Sequence, residues 1–203
     1  MSKILVQPDS LVRVPDLNLP GEMTWDATSF EAFCQLNPGV EAELDADGNL
    51  VLMSPSNADA DNRNLLFVLQ MGAWALEHPE FVPFGPSAGF TLSNGAVRSP
   101  DASLVRREEW DALSTAEQKS FAPLAPFFVM ELRSSESDPL AALQEKMVEY
   151  LDCGTQLAWL IDPTRSELTI YRPNQSPESH QAPATLAVGD ELPGLVIQFA
   201  DIW

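Results

Sequence analysis

The chain has 203 residues, enough for one domain with a tail and too few for a multidomain assembly. Hydrophobic residues make up 45% of it and charged residues 20%, so it buries a substantial core and is no disordered acidic tail. Eleven basic side chains against 30 acidic ones leave a formal net charge of −19. Such a surface repels nucleic acid and anionic membrane unless a basic patch or a metal ion intervenes. The imbalance is uneven: residues 1–62 carry two basic groups against eleven acidic, residues 63–172 nine against fifteen, and residues 173–203 none against four. An anionic ligand would therefore be met in the middle of the chain.

Residues 1–22 are spotted with proline and read as an irregular extended arm, leaving 23–203 as the domain. Thr24 or Thr28 is placed to cap a short helix through Trp25, Phe30 and Phe33, stopped by Asn37-Pro38-Gly39. VEAELD (40–45) and NLVLMS (49–54) alternate about Ala46-Asp47-Gly48 and predict a hairpin. Residues 63–77 predict a long helix, apolar nearly all round and hence deeply packed. Phe81–Phe84 and Gly89–Leu92 follow as short strands, then a strand over 98–105 opened by Pro100, and a polar helical excursion over 107–121. Residues 126–134 predict a buried strand. The helix over 136–154 has Asp138 as its expected cap, Pro139 in its first turn and Gly154 at its exit. LAWLID (157–162) and ELTIYR (167–172) predict a second hairpin, and residues 173–184 a loop. Interleaved helices and strands with frequent hairpins imply an α/β fold with a mixed sheet.

Cys34 and Cys153 lack CxxC spacing and read as buried free thiols. His78 and His180 stand too far apart in sequence to suggest a zinc site, and His78, just before Pro79, reads as a helix cap. Neither a signal peptide nor a stretch of ~20 apolar residues is present, which makes a soluble, cytoplasmic setting the expectation. The five tryptophans, Trp25, Trp74, Trp110, Trp159 and Trp203, read as packing residues rather than base-stacking platforms.

Three groups stand where chemistry is plausible. Asp101 follows Pro100 at a strand opening. Glu131 lies inside the apolar run Phe127–Leu132, where an unpaired carboxylate would cost several kcal/mol, so either Arg133 and its neighbours pair it or a metal does. Lys146 is one of only three lysines, beside the stripe Leu140, Leu143, Met147 and Tyr150. Its ordinary reading is a snorkelling side chain paired with Glu145 or Glu149. Glu43 shares a strand face with Glu41 and Asp45, which on its own suggests a solvated face.

Pro100-Asp101, then 29 residues, then Glu131-x-Arg133 resembles the PD-(D/E)xK nuclease signature, with arginine where lysine is usual. Further segments sharpen the likeness: 43–55, Arg63-Asn64, 89–105, 128–134, 143–154, 157–163 and the C-terminal LPGL…IW. In this order they resemble a bacterial branch of that superfamily, the putative restriction endonuclease family, over about residues 24–203. The resemblance implies a restriction-endonuclease-like mixed β-sheet flanked by helices in a single domain. It implies Mg²⁺ or Mn²⁺ held by Asp101, Glu131 and the Leu132 carbonyl, with Glu43 as an additional acid. Lys146 would be the working lysine, moved from the strand to the following helix, since Arg133 stays protonated and cannot accept a proton. DNA hydrolysis by a homodimer is the implied activity, with Arg63, Arg98, Arg106, Arg107 and Arg133 available to line a cleft. The net charge favours a rival: an interaction or regulatory protein that keeps the fold with weak or no catalysis.

Overall fold

A computed structural model describes residues 25–53, 55–136 and 138–203, together with the backbone of 4–6. In chain order the elements are β1 (Ile4–Val6), α1 (Ala27–Leu36), β2 (Ala42–Leu44), β3 (Leu50–Leu52), α2 (Ala58–Glu77) and β4 (Phe81–Phe84). Next come β5 (Phe90–Thr91), β6 (Val97–Arg98), β7 (Ala102–Arg106), α3 (Arg107–Ala112), α4 (Thr115–Gln118) and β8 (Phe128–Leu132). The chain closes with α5 (Leu140–Asp152), β9 (Leu157–Asp162), β10 (Glu167–Tyr171), β11 (Glu178–Gln181), β12 (Thr185–Ala187) and β13 (Val196–Gln198). This is the α/β fold with a mixed sheet and flanking helices that the pattern implies. Its contacts form two compact units, each drawn from three stretches of chain.

The first unit comprises Met1–Pro55, Gly89–Ser99 and Leu113–Leu124. Its sheet runs β1-β3-β2-β6-β5, antiparallel except where β1 pairs in parallel with β3. Ile4–Val6 is thus a strand within the stretch expected to be irregular; the rest of that arm lies outside the described residues. Phe30 and Phe33 of α1 bury against Leu44, Leu50, Leu52 and Val97. The cap of α1 is Asp26, not Thr28: its carboxylate accepts the Ser29 N–H at 2.8 Å, and Ser29 returns the bond to the Asp26 N–H. The proposed alternative Thr24 lies outside the described residues. Aspartate caps as well as threonine does, and Asp26 stands directly before the first helical residue.

The second unit comprises Ser56–Ala88, Pro100–Ala112 and Ala125–Trp203. Its six-stranded sheet runs β11-β10-β9-β8-β7-β4. Only β8 and β9 are parallel, and α5 makes the crossover between them. One face of the sheet packs Phe128, Met130 and Trp159 against Phe67 and Met71 of α2 and against Phe199. That helix buries a single stripe. Leu65, Leu69 and Leu76 are 52, 58 and 83% exposed, so the expectation of a helix packed all round is corrected. A helix lying on one sheet face can bury only the side it presents to that face.

Two further boundaries differ from expectation. The strand over 98–105 is broken into β6 and β7 by Ser99-Pro100-Asp101, because proline has no N–H for the ladder. The expected loop over 173–184 contains β11, a polar edge strand paired with β10. Edge strands tolerate charge on both faces, so they lack the alternation that marks a strand in sequence. Among the described residues no helix is long and apolar enough to cross a membrane.

Candidate active site

The site begins with strand register. Ala102 of β7 lies opposite Met130 of β8 in an antiparallel pair; Asp101 directly precedes β7, and Glu131 directly follows Met130. Asp101 is held at this position by its carboxylate, whose Oδ2 accepts the Leu132 N–H at 2.7 Å. Glu131 is only 5% exposed, surrounded by a strand whose every residue is buried. An isolated carboxylate there would be costly, and the fold supplies its partners from α5.

Lys146 brings its Nζ to 2.7 Å from Glu131 Oε1, and the Tyr150 hydroxyl donates to the same oxygen at 3.0 Å. The two residues are four apart on the helix and so lie on one face. The Lys146 ammonium also stands 5.8 Å from the centre of the Tyr150 ring, which is fully buried. Beyond the Glu145 and Glu149 of its own helix, Lys146 thus has a tertiary partner. Tyr150 was missed as a site residue and read only as core. The clue was its spacing from Lys146, which already put hydroxyl and ammonium side by side. Of the expected stripe, Met147 and Tyr150 are buried while Leu140 and Leu143 are half-buried.

Arg133, at the position where the broad signature has lysine, does not pair Glu131. Its Nη1 donates to Asp162 Oδ2 at 2.9 Å, its Nε to the Asp138 carbonyl at 3.0 Å and its Nη2 to the Glu136 carbonyl at 2.6 Å. The guanidinium therefore ties the turn after β8 to the end of β9. Burial pushes the Asp162 carboxyl up, but hydrogen bonds from the Thr164 hydroxyl and Arg133 outweigh this and hold it below the usual carboxylate range. Asp138 is likewise not the cap of α5: the capping position is Pro139, without a side-chain bond. Asp138 instead uses Oδ2 to accept from the N–H groups of Ser134 and Ser135 and from the Ser134 hydroxyl. A short turn with two N–H groups to satisfy outcompetes the helix start for that carboxylate.

Glu43 belongs to the first unit. It is 3% exposed, which corrects the solvated-face reading, and accepts from Arg98 Nη1 at 3.1 Å and from the Ser99 N–H at 2.8 Å. Among the described residues no group of three or more His, Cys, Asp and Glu side chains is arranged to hold a metal. What the second unit offers is Glu131 and, hydrogen-bonded to the adjacent Leu132 N–H, the carboxylate of Asp101. Two carboxylates suit Mg²⁺, which keeps several waters and is commonly held by one or two carboxylates plus substrate phosphate.

The arginines expected to line a cleft are largely engaged. Arg63 pairs with Asp59 at 2.8 Å, Arg98 with Glu43, and Arg133 with Asp162. Arg107 donates to the Pro79 carbonyl, and the Arg106 guanidinium lies 4.1 Å from the Phe127 ring centre. His78 caps α2 as expected, its Nδ1 2.8 Å from the Trp74 carbonyl and its ring stacked on Trp74 at 4.0 Å. Cys34 and Cys153 are free thiols, half-buried rather than buried. Trp25 and Trp159 are core residues, as expected.

The family model described as "Uma2: Putative restriction endonuclease" matches residues 27–200. A solved structure titled a putative nuclease belonging to DUF820, from Anabaena variabilis, superimposes with a TM-score of 0.73 at 17% identity. The match covers 88% of this chain and 97% of that one, and at this identity it shows the fold. No curated protein matches the sequence. With a family model matching nearly the whole chain, the chain belongs to the Uma2 family of putative restriction endonucleases.

Proposed function

We propose that this chain is a Mg²⁺-dependent endonuclease that hydrolyses DNA phosphodiester bonds, acting as a cytoplasmic homodimer in which each centre cuts one strand. The supporting observation is that Lys146 of α5, rather than Arg133, pairs with Glu131 of β8, while Asp101, just before β7, is bonded to the N–H of the neighbouring Leu132. Asp101, Glu131 and the Leu132 carbonyl are the hard oxygen donors that would hold Mg²⁺ or Mn²⁺. Bound there, the ion would supply Lewis acidity toward a phosphate oxygen and a more acidic water.

The protein's own groups do the rest. The Leu132 N–H fixes the Asp101 carboxylate, so both acids are set by β8 before any ligand arrives. Tyr150 and Lys146 together anchor Glu131 Oε1 and keep its carboxylate in one orientation. An ammonium on a four-carbon stem can exchange a carboxylate oxygen for a phosphate oxygen, which lets Lys146 stabilise charge developing on substrate.

The test is nicking of supercoiled plasmid with Mg²⁺ or Mn²⁺, alongside calorimetric Mn²⁺ binding. Wild type should cleave, while Asp101→Ala and Glu131→Gln should lose both cleavage and metal binding. Lys146→Ala should bind metal yet cleave about 10²-fold to 10⁴-fold more slowly. A second reading, a non-catalytic interaction protein, is favoured by the −19 charge and by the neutralisation of Lys146 by Glu131. Wild type that neither cleaves any DNA form nor binds the cation would select it.

A further inference from the structure

The sheet face that carries Glu131 continues through β9, β10 and β11, and α5 lies on it. On one side of the helix Lys146 and Tyr150 reach Glu131. On the other side lies an open groove of about 610 Å³ that the proposed reaction does not use. Its wall is another face of α5, represented by Leu140, Gln144 and Val148. Its floor is the alternate residues of three strands, among them Leu160, Thr169 and Tyr171, which the ladder registers place on one side of the sheet. Val148 is 48% exposed on the wall.

Two quantities indicate what would fill the groove. From β9 to β11 is two strand spacings, about 10 Å, and neighbouring helices pack about 8–10 Å apart. Since α5 sits chiefly over β9, the uncovered width beside it is that of one more helix. The lining carries three carboxylates, Glu145, Asp162 and Glu167, against one guanidinium, Arg165, which stands 3.3 Å from Glu167. Asp162 is matched by Arg133, whereas Glu145 is exposed and has no ion pair among the described residues. Leu160 and Tyr171 of the floor are buried, so the groove is apolar along its helix wall and negative at its rim.

We infer that this groove is a docking site for a basic amphipathic helix of a partner protein. Leucine-type anchors would lie against Leu140, Ala141 and Val148, and flanking lysines or arginines would meet Glu145 and Glu167. The inference is independent of catalysis. It also suits a chain of net charge −19, because a cationic partner offsets part of the repulsion that opposes approach to a polyanion.

The probe is a fluorescein-labelled synthetic helix with one leucine stripe flanked by lysines, compared with the same peptide bearing glutamates, both read by anisotropy. The lysine peptide should bind at least about tenfold more tightly. Glu145→Lys with Glu167→Lys should reverse that order, and Val148→Asp, at a half-exposed position, should weaken both peptides without changing the circular dichroism. Glu77→Lys with Glu80→Lys makes the same charge change outside the groove and should alter affinity by less than about threefold. The proposal is overturned if the lysine peptide does not bind, or if the two charge-reversed variants respond alike, which signals diffuse attraction. It is also overturned if hydrogen exchange shows new protection on the outer-edge amides of β11 rather than along α5, which signals strand addition.

Discussion

Glu131 Oε1 receives both an ammonium and a phenol, and removing either leaves a different deficit. Lys146→Met strands a buried carboxylate without its cation and should cost about 3–5 kcal/mol of stability, read from urea unfolding. Tyr150→Phe removes one hydrogen bond to that charged oxygen and should cost about 1.5–3 kcal/mol. Because the two share one acceptor, the double variant should deviate from additivity, and a simple sum would show that the contacts are independent. Asp162 adds a pH signature. Its folded pKa lies below the ordinary carboxylate value, so its contribution to stability is complete above about pH 4 and is lost as pH falls through the folded value. Urea midpoints should drop on acidification below about pH 4, and Asp162→Asn should flatten that part of the profile. Asp101, Glu131 and Lys146 were visible in sequence as candidates, but Tyr150 and the pairing were not. Arg133 is two residues from Glu131 and Lys146 fifteen, yet the nearer cation turns to Asp162.

Among the elements, those legible beforehand owe their shape to local chemistry. The hairpins β2–β3 and β9–β10 and strand β8 formed where alternation and apolar runs placed them, and helix α5 formed inside the expected stretch but starts at Leu140, after Pro139. Gly154 leaves α5 at φ +120°, a conformation that favours glycine. Where competing local bonds were equally good, as with Asp26 against Thr28 or Asp138 in its turn, the chosen partner depended on backbone geometry that a pattern does not record. Gly89 is a different case. A Cβ built there would collide with the Phe121 ring, although the two are far apart in sequence. Gly89→Ala should therefore destabilise by about 1–3 kcal/mol in thermal or urea unfolding, and Phe121→Leu should restore part of the loss. An alanine tolerated without cost would show that the ring moves freely.

For the whole molecule, self-repulsion among 30 acidic groups opposes folding and is screened by salt. The thermal midpoint should rise as NaCl increases from about 10 mM to about 150 mM, and an unchanged midpoint would mean that local ion pairs absorb the excess charge. The family, the α/β class and the identity of Asp101, Glu131 and Lys146 followed from the order of residues, because motif spacing and hydrophobic period are properties of the chain itself. Which cation meets which carboxylate was decided only by tertiary structure. Register across β7 and β8 and the rotation of α5 about its axis are set by packing between distant segments. The rotation of α5 places Lys146 on Glu131 and leaves the groove beside the helix uncovered, and the parallel pairing of β8 with β9 brings Arg133 to Asp162.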